Sequence, residues 1–312
     1  MSGAHAWLLD LTEPISSTGR LNGPADDDID VENTRRTEAE QLRAKMPFLD
    51  IRGKSLYYTK SSPEKGSESG TTFLMIHGLG SSSSFYATTI PSLAAAGHTC
   101  VAFDTHGSAL SKYNGQYGGI DGIVEDAVEL ITKLNLKPEN VVAVGHSMGA
   151  IVASKLSLQL RLRGVVLIGP VNPNPGLAPI FNARIATVEK SGMEAMADTI
   201  PAAATGSKST ATHRAFIRAL LLSQTSEGYN SLCKAISDAE PPQYSDSRSP
   251  LLILSGSDDK TSPLAAAEAI LKSWNADVST ALEILDGVGH WHCIEAADEV
   301  ANRIKAFAGK LE

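Results

Sequence analysis

Apolar residues in this chain gather in two alternating kinds of run. The short kind is continuous: residues 72–76 (TFLMI), 99–103 (TCVAF), 141–144 (VVAV), 165–168 (VVLI) and 251–254 (LLIL), with 281–285 (ALEIL) a further strand-like piece interrupted by Glu283. Unbroken runs rich in β-branched residues are what strands buried on both faces show. Residues 48–51 and 54–59, split by Arg52-Gly53, predict two further strands joined by a tight turn. The longer runs are periodic. Over residues 120–134, Ile123, Val124, Ala127, Leu130, Ile131 and Leu134 fall on one helical face with acids between them, and Pro138 ends the pattern. Residues 90–96, 150–159, 263–274 and 296–307 read as helices in the same way. Strand and helix in strict alternation imply right-handed crossovers, hence an α/β fold with a mostly parallel central sheet and helices on both faces. A ligand crevice then lies outside the strands' carboxyl ends, where Leu79, Asp104 and Ser147 fall.

The rhythm breaks at Asn172-Pro173-Asn174-Pro175-Gly176, a turn cluster. From 180 to 240 every piece is helix-like, rich in Ala, Met, Leu and Arg, until Pro241-Pro242 closes the segment. Residues 172–245 are therefore expected to form a helical cap over the crevice, inserted in a core made of residues 46–171 and 246–312. Residues 1–45 have another character: Gly, Pro and Ser through Pro14 to Pro24, then the acidic Asp26-Asp27-Asp28-Ile29-Asp30. That composition predicts a solvated arm. Within it Ala6-Trp7-Leu8-Leu9 has the makings of a docking segment for the body or for a second copy of the chain, which admits a homodimer.

Whole-chain properties narrow the functional classes. The net charge is −8 over 312 residues and the pI is near 5.5, so no cationic face awaits nucleic acid. No apolar run approaches the ~18 to 20 residues that span a bilayer, and Trp7 to Leu11 is too short for a signal segment. Cys100, Cys233 and Cys293 cannot all pair and lack C-x-x-C spacing, as suits reduced thiols in the cytoplasm. No cofactor motif stands out. His290 and His292, two apart, are the nearest approach to a metal pair, and no metal is expected.

The chemistry is concentrated in V-V-A-V-G-H-S-M-G-A, residues 141–150. A buried strand ends at Gly145, Ser147 follows between glycines, and a helix begins at once. That context makes G-x-S-x-G a nucleophile elbow, with the serine Oγ standing clear at the strand end. A serine needs a base to take its proton, and the base needs an acid to orient it. His290 follows the last strand on the glycine-rich Gly287-Val288-Gly289 and is the preferred base over its rival His292; His77, His106 and His146 read as structural. For the acid, the 251–254 strand runs out into Ser257-Asp258-Asp259-Lys260. Asp259 is favoured because the end of the 165–168 strand carries Gly169, Pro170, Val171 and Asn172 and no carboxylate. Backbone N–H groups of Leu79 and Met148 are placed to hold an oxyanion.

These pieces, in this order, resemble the α/β-hydrolase superfamily. The matching segments are His77-Gly78-Leu79-Gly80, Asp104-x-x-Gly107-x-x-x-Ser111, Gly145-His146-Ser147-Met148-Gly149, Gly256-x-x-Asp259-x-x-x-Pro263, and Gly287-x-Gly289-His290 with Glu295 after it. Residues 46–312 are covered, and within the superfamily the chain looks most like small capped 3-oxoadipate enol-lactonases and related carboxylesterases. The resemblance implies a nucleophile–acid–base order of Ser147, Asp259, His290. It also implies cleavage of an ester or lactone through an acyl-serine, and a serine nucleophile sets aside the branches that attack with aspartate. The apolar stripe Ile180, Phe181, Ile185, Met193, Met196, Phe216 and Leu220 to Leu222 of the cap makes the expected substrate small and partly apolar. Cleavage of a C–C bond or acyl transfer by the same triad is open, as is a ligand receptor that barely turns over. Ala109 departs from the pattern, standing where the family usually has a second glycine.

Overall fold

The computed structural model describes residues 47–311. The expected arm at 1–45 and its docking segment lie outside the described residues. Two short strands, β1 (Phe48–Ile51) and β2 (Lys54–Ser61), make an antiparallel hairpin. Its turn places both Arg52 and Gly53 at positive φ (55° and 76°), as in the two-residue turns whose twist matches that of paired strands. Then follow β3 (Thr72–Ile76), β4 (Thr99–Phe103), β5 (Val141–His146), β6 (Gly164–Ile168), β7 (Leu251–Gly256) and β8 (Thr280–Leu285). All eight join one sheet in the order β1-β2-β4-β3-β5-β6-β7-β8. From β4 to β8 every pairing is parallel; β2 runs antiparallel to β4. Every residue of β5, β6 and β7 is buried, whereas edge strand β8 is half exposed. This is why the first three read as unbroken apolar runs and β8 carries Glu283 in its middle.

Helices α1 (Ile90–Ala95), α2 (Gly119–Lys133) and α3 (Met148–Gln159) lie in the first half of the fold. The hairpin is fixed to α2 by a buried ion pair: Lys54 Nζ reaches both Asp126 oxygens, at 2.6 and 2.7 Å. Arg52 joins it at 3.2 Å on Asp126 Oδ1. Between β6 and β7 come four helices and, among the described residues, no strand: α4 (Leu177–Ser191), α5 (Glu194–Ala203), α6 (Ala211–Leu222) and α7 (Ser226–Ser237). The chain closes with α8 (Leu264–Ser273), the single turn α9 (His292–Glu295) and α10 (Ala297–Ala308).

Buried Gln224, just after α6, stitches the insertion to the sheet. Its Nε2 donates to Ser81 O (3.1 Å), and its Oε1 accepts from Ala109 N (3.3 Å). Ala109 sits at φ 42°, left-handed backbone that glycine adopts without penalty, so the unusual alanine is held in a strained turn by its neighbours. All three cysteines are buried and free. Among the described residues no helix is long and apolar enough to cross a membrane.

Candidate active site

Ser147 links β5 to α3 with φ 53° and ψ −115°, a backbone conformation costing of order 1–3 kcal/mol for a residue with a side chain. The bend is imposed from both sides: Ser147 N donates to Ile168 O (3.0 Å) and Ala150 N donates to Ser147 O (3.0 Å). The flanking glycines are there for space. A Cβ on Gly145 would lie 2.2 Å from Gly149 O, and one on Gly149 would lie 2.1 Å from Ile76 O, so strand and helix touch through bare backbone.

His290 Nε2 lies 3.0 Å from Ser147 Oγ, and His290 Nδ1 lies 2.9 Å from Asp259 Oδ2. An ionised carboxylate only accepts, so Nδ1 carries the proton and the Nε2 lone pair faces the serine hydroxyl. The second Asp259 oxygen accepts from the backbone N–H groups of Thr261 (2.9 Å) and Ser262 (2.8 Å). Burial opposes ionisation of Asp259, yet the His290 imidazole and these N–H groups outweigh it and hold the carboxyl below its usual range. Neighbouring Asp258 points the other way, accepting from Ser207 N and Oγ at 2.8 Å each. The acid comes from the end of β7, but it rests beside the end of β6. A Cβ on Gly169 would come within 3.0 Å of Asp259 Oδ2 and 2.6 Å of His292 Cε1.

The rival histidine has a different task. His292 Nδ1 donates to the His290 carbonyl (2.9 Å), and His146 Nε2 donates to the same oxygen (2.8 Å). Two buried rings thus grip the backbone of His290, and His146 is braced by stacking on Phe85 at 4.2 Å. Burial keeps both neutral: His292 is pushed down to about 4, and His146 well below the ordinary value, with His290 and His292 adding to the effect. His77 is also buried and depressed; its Nε2 accepts from Thr105 N (3.1 Å).

The sign of the resulting pH dependence is fixed. An unfolded His292 regains its ordinary value of 6.5, so as pH falls the unfolded chain binds its proton first. Stability is full above that value and is lost as pH falls toward the folded value. At pH 5 His292 alone costs about 2 kcal/mol, and His146 adds in the same direction. Urea unfolding is expected to show a clearly lower midpoint at pH 5 than at pH 7, with a smaller gap in His292→Asn. Equal midpoints would contradict the buried neutral rings.

Glu295 is the functional residue whose part the sequence left unassigned. Its Oε2 accepts from Gly289 N (3.1 Å) and Gly206 N (2.7 Å), and its Oε1 accepts from Trp291 N (3.0 Å). It therefore clamps both neighbours of His290 and ties them to the α5–α6 connection. His290 N donates to Ala204 O (2.8 Å) in the same place, and Gly289 packs so closely on Gly206 that a Cβ would lie 2.3 Å from its nitrogen. The only local signal was an acid five residues past the histidine.

Leu79 and Met148 approach Ser147 from two sides. Gly78 is the reason Leu79 can: its added Cβ would lie 2.8 Å from both Ser147 Cβ and His146 Nδ1. Neither the Leu79 nor the Met148 N–H is hydrogen-bonded among the described residues. Leu79 lines a cavity of about 320 Å³ together with Ser147, His290, Trp291 and residues of the insertion, including Phe181, Arg184 and Ile200. The apolar stripe of the insertion divides. Ile180 lines the cavity, Phe181 both lines it and packs in the core, and Met193, Met196, Leu220 and Leu221 pack in the core. Among its cations only Arg184 faces the cavity; Arg218 pairs with Asp198, Lys234 with Asp238, and Arg214 donates to Ser209 O.

A doubly wound sheet with a serine on a strained strand–helix bend, backed by a histidine and an acid, defines a class of hydrolase folds. Residues 73–303 match the model of the Alpha/beta hydrolase family, and the chain belongs to that family. It is 29% identical over 140 residues to RutD of Variovorax paradoxus, a candidate carbamate hydrolase; this covers 44% of the chain and 52% of that protein. The chain spans about half the length of the curated relatives it matches. Among solved structures it is similar in fold to the enol-lactonase of Burkholderia xenovorans, with TM-score 0.74 and 22% identity over 84% of this chain and 100% of that one. A similar likeness holds to an esterase of Exiguobacterium antarcticum, with TM-score 0.75 and 18% identity over 85% and 99%.

Proposed function

We propose that this protein is a serine hydrolase of small, partly apolar carboxylic esters or lactones, working through an acyl-serine. The observation that carries the reading is the unbroken line from Asp259 through His290 to Ser147, with links of 2.9 and 3.0 Å, its Ser147 and His290 end lining a cavity. Ser147 Oγ attacks the substrate carbonyl carbon while its proton passes to His290 Nε2. Asp259 stabilises the imidazolium that results. The carbonyl oxygen becomes an alkoxide facing the N–H groups of Leu79 and Met148, each such donor being worth about 3–4 kcal/mol at the transition state. Collapse breaks the C–O bond, and His290 hands its proton to the departing alcohol; from a lactone that alcohol stays attached to the acyl chain. Water, deprotonated by His290, then attacks the acyl carbon, and as the Ser147 ester breaks His290 returns that proton to Ser147 Oγ, freeing the acid.

Residues 172–245 serve as the cap, with α4 and α5 forming the apolar wall that keeps bulk water from the intermediate. A carbamate presents the same carbonyl to the same serine, and belongs on the substrate panel beside lactones and open-chain esters. The three free thiols favour a cytoplasmic setting.

A fluorophosphonate probe tests the reading. It is expected to add its mass to the peptide bearing Ser147, with no labelling of Ser147→Ala. Protein that turns over an ester while Ser147 stays unmodified would defeat it.

A further inference from the structure

The cavity beside Ser147 is apolar over most of its wall, with Leu177, Ile180, Phe181, Ile200 and Ile236 from the insertion, yet two cations line it: Arg184 and Lys260. Neither forms an ion pair among the described residues, whereas Arg218 and Lys234 of the insertion are paired with Asp198 and Asp238. Arg184 is half-buried and lies over the Phe181 ring at 5.1 Å. Its charge reaches the buried Cys233 thiol and Tyr229 hydroxyl behind it, pulling both down against the burial that raises them. A guanidinium held among apolar side chains without a counter-charge is costly unless something anionic arrives to meet it. The nearby Asp259 carboxylate, held below its usual range, and the net charge of −8 would by themselves repel such a visitor. Two unpaired cations in one small cavity reverse that field locally.

We propose that Arg184, with Lys260 at the rim, is an anion subsite, so that the preferred substrate is an ester or lactone carrying a carboxylate of its own. This rests on the serine-hydrolase reading above. The planar fork of Arg184 suits a carboxylate held by two parallel N–H bonds, and exposed Lys260 adds charge without fixed geometry. The apolar stretch between Arg184 and Ser147 would take the carbon chain joining the two carbonyl groups.

The test compares two esters of one shape, monoethyl glutarate and ethyl 4-carbamoylbutanoate, which differ only in carboxylate against primary amide. In the unaltered protein kcat/KM is expected to favour the acid by about ten- to a hundred-fold, the span of hydrogen bonds to a charged group. That ratio should fall to about one in Arg184→Gln, recover in part in Arg184→Lys, and shrink as sodium chloride is raised. A ratio at or below one in the unaltered protein, or one that Arg184→Gln leaves in place, overturns the proposal. Titration calorimetry on Ser147→Ala with the same two esters separates this failure from that of the hydrolase reading. Tighter binding of the acid, lost on adding Arg184→Gln, supports the subsite whether or not either ester is turned over. Equal binding, or none, removes it.

Discussion

Ser147→Ala is expected to lower kcat on the order of 10⁶-fold on any ester the protein cleaves, and adding His290→Ala should cost almost nothing more. The reason is that the hydroxyl and the imidazole act as one device. Without a base at 3.0 Å the serine keeps its proton, and without the serine the base has nothing to activate. The residual rate reflects the Leu79 and Met148 donors and binding alone. Active-site-titrated kcat for both single variants and the double variant measures this, with circular dichroism to show that all three fold. Losses that multiply would mean that the two side chains work independently.

Asp259→Asn should cost about 10⁴-fold through a change of tautomer, with the cavity intact. The argument is geometric. Asp259 Oδ1 accepts from the Thr261 and Ser262 N–H groups, so an asparagine keeps its carbonyl oxygen there and turns its NH₂ toward His290. The imidazole must then accept at Nδ1 and carry its proton on Nε2, where it can no longer receive one from Ser147. KM should change little. A kcat loss below about ten-fold would show that the orienting carboxylate is elsewhere.

Much of this was legible along the chain because the signals are local. Strands buried on both faces must be apolar without interruption, so β3, β4, β5, β6 and β7 declare themselves. The elbow is equally local, since a bend that packs Gly145 against Gly149 leaves no room for a Cβ at either place. Placing the acid after β7 turned on the missing carboxylate at the end of β6, and Gly169 there leaves the space into which Asp259 reaches. The helical character of 172–245 was visible, but not its seams. Gln224 bonded to Ala109, and Glu295 bonded to Gly206, join residues separated by 115 and 89 positions, and no periodicity reports such distances. The same holds for the antiparallel pairing of β2 with β4, which only the three-dimensional order reveals. His146 and His292 were visible as histidines but not as the pair of rings that hold one carbonyl.

Glu295 bears on how a ligand gets in. One carboxylate laces the nucleophile's base loop to the α5–α6 connection, so that flank of the cavity is a fixed jamb. The α4 side carries no such clamp: there Ile180 lines the cavity and is still 52% exposed. A molecule entering on that side would touch an apolar side chain before the Arg184 guanidinium one helical turn further along.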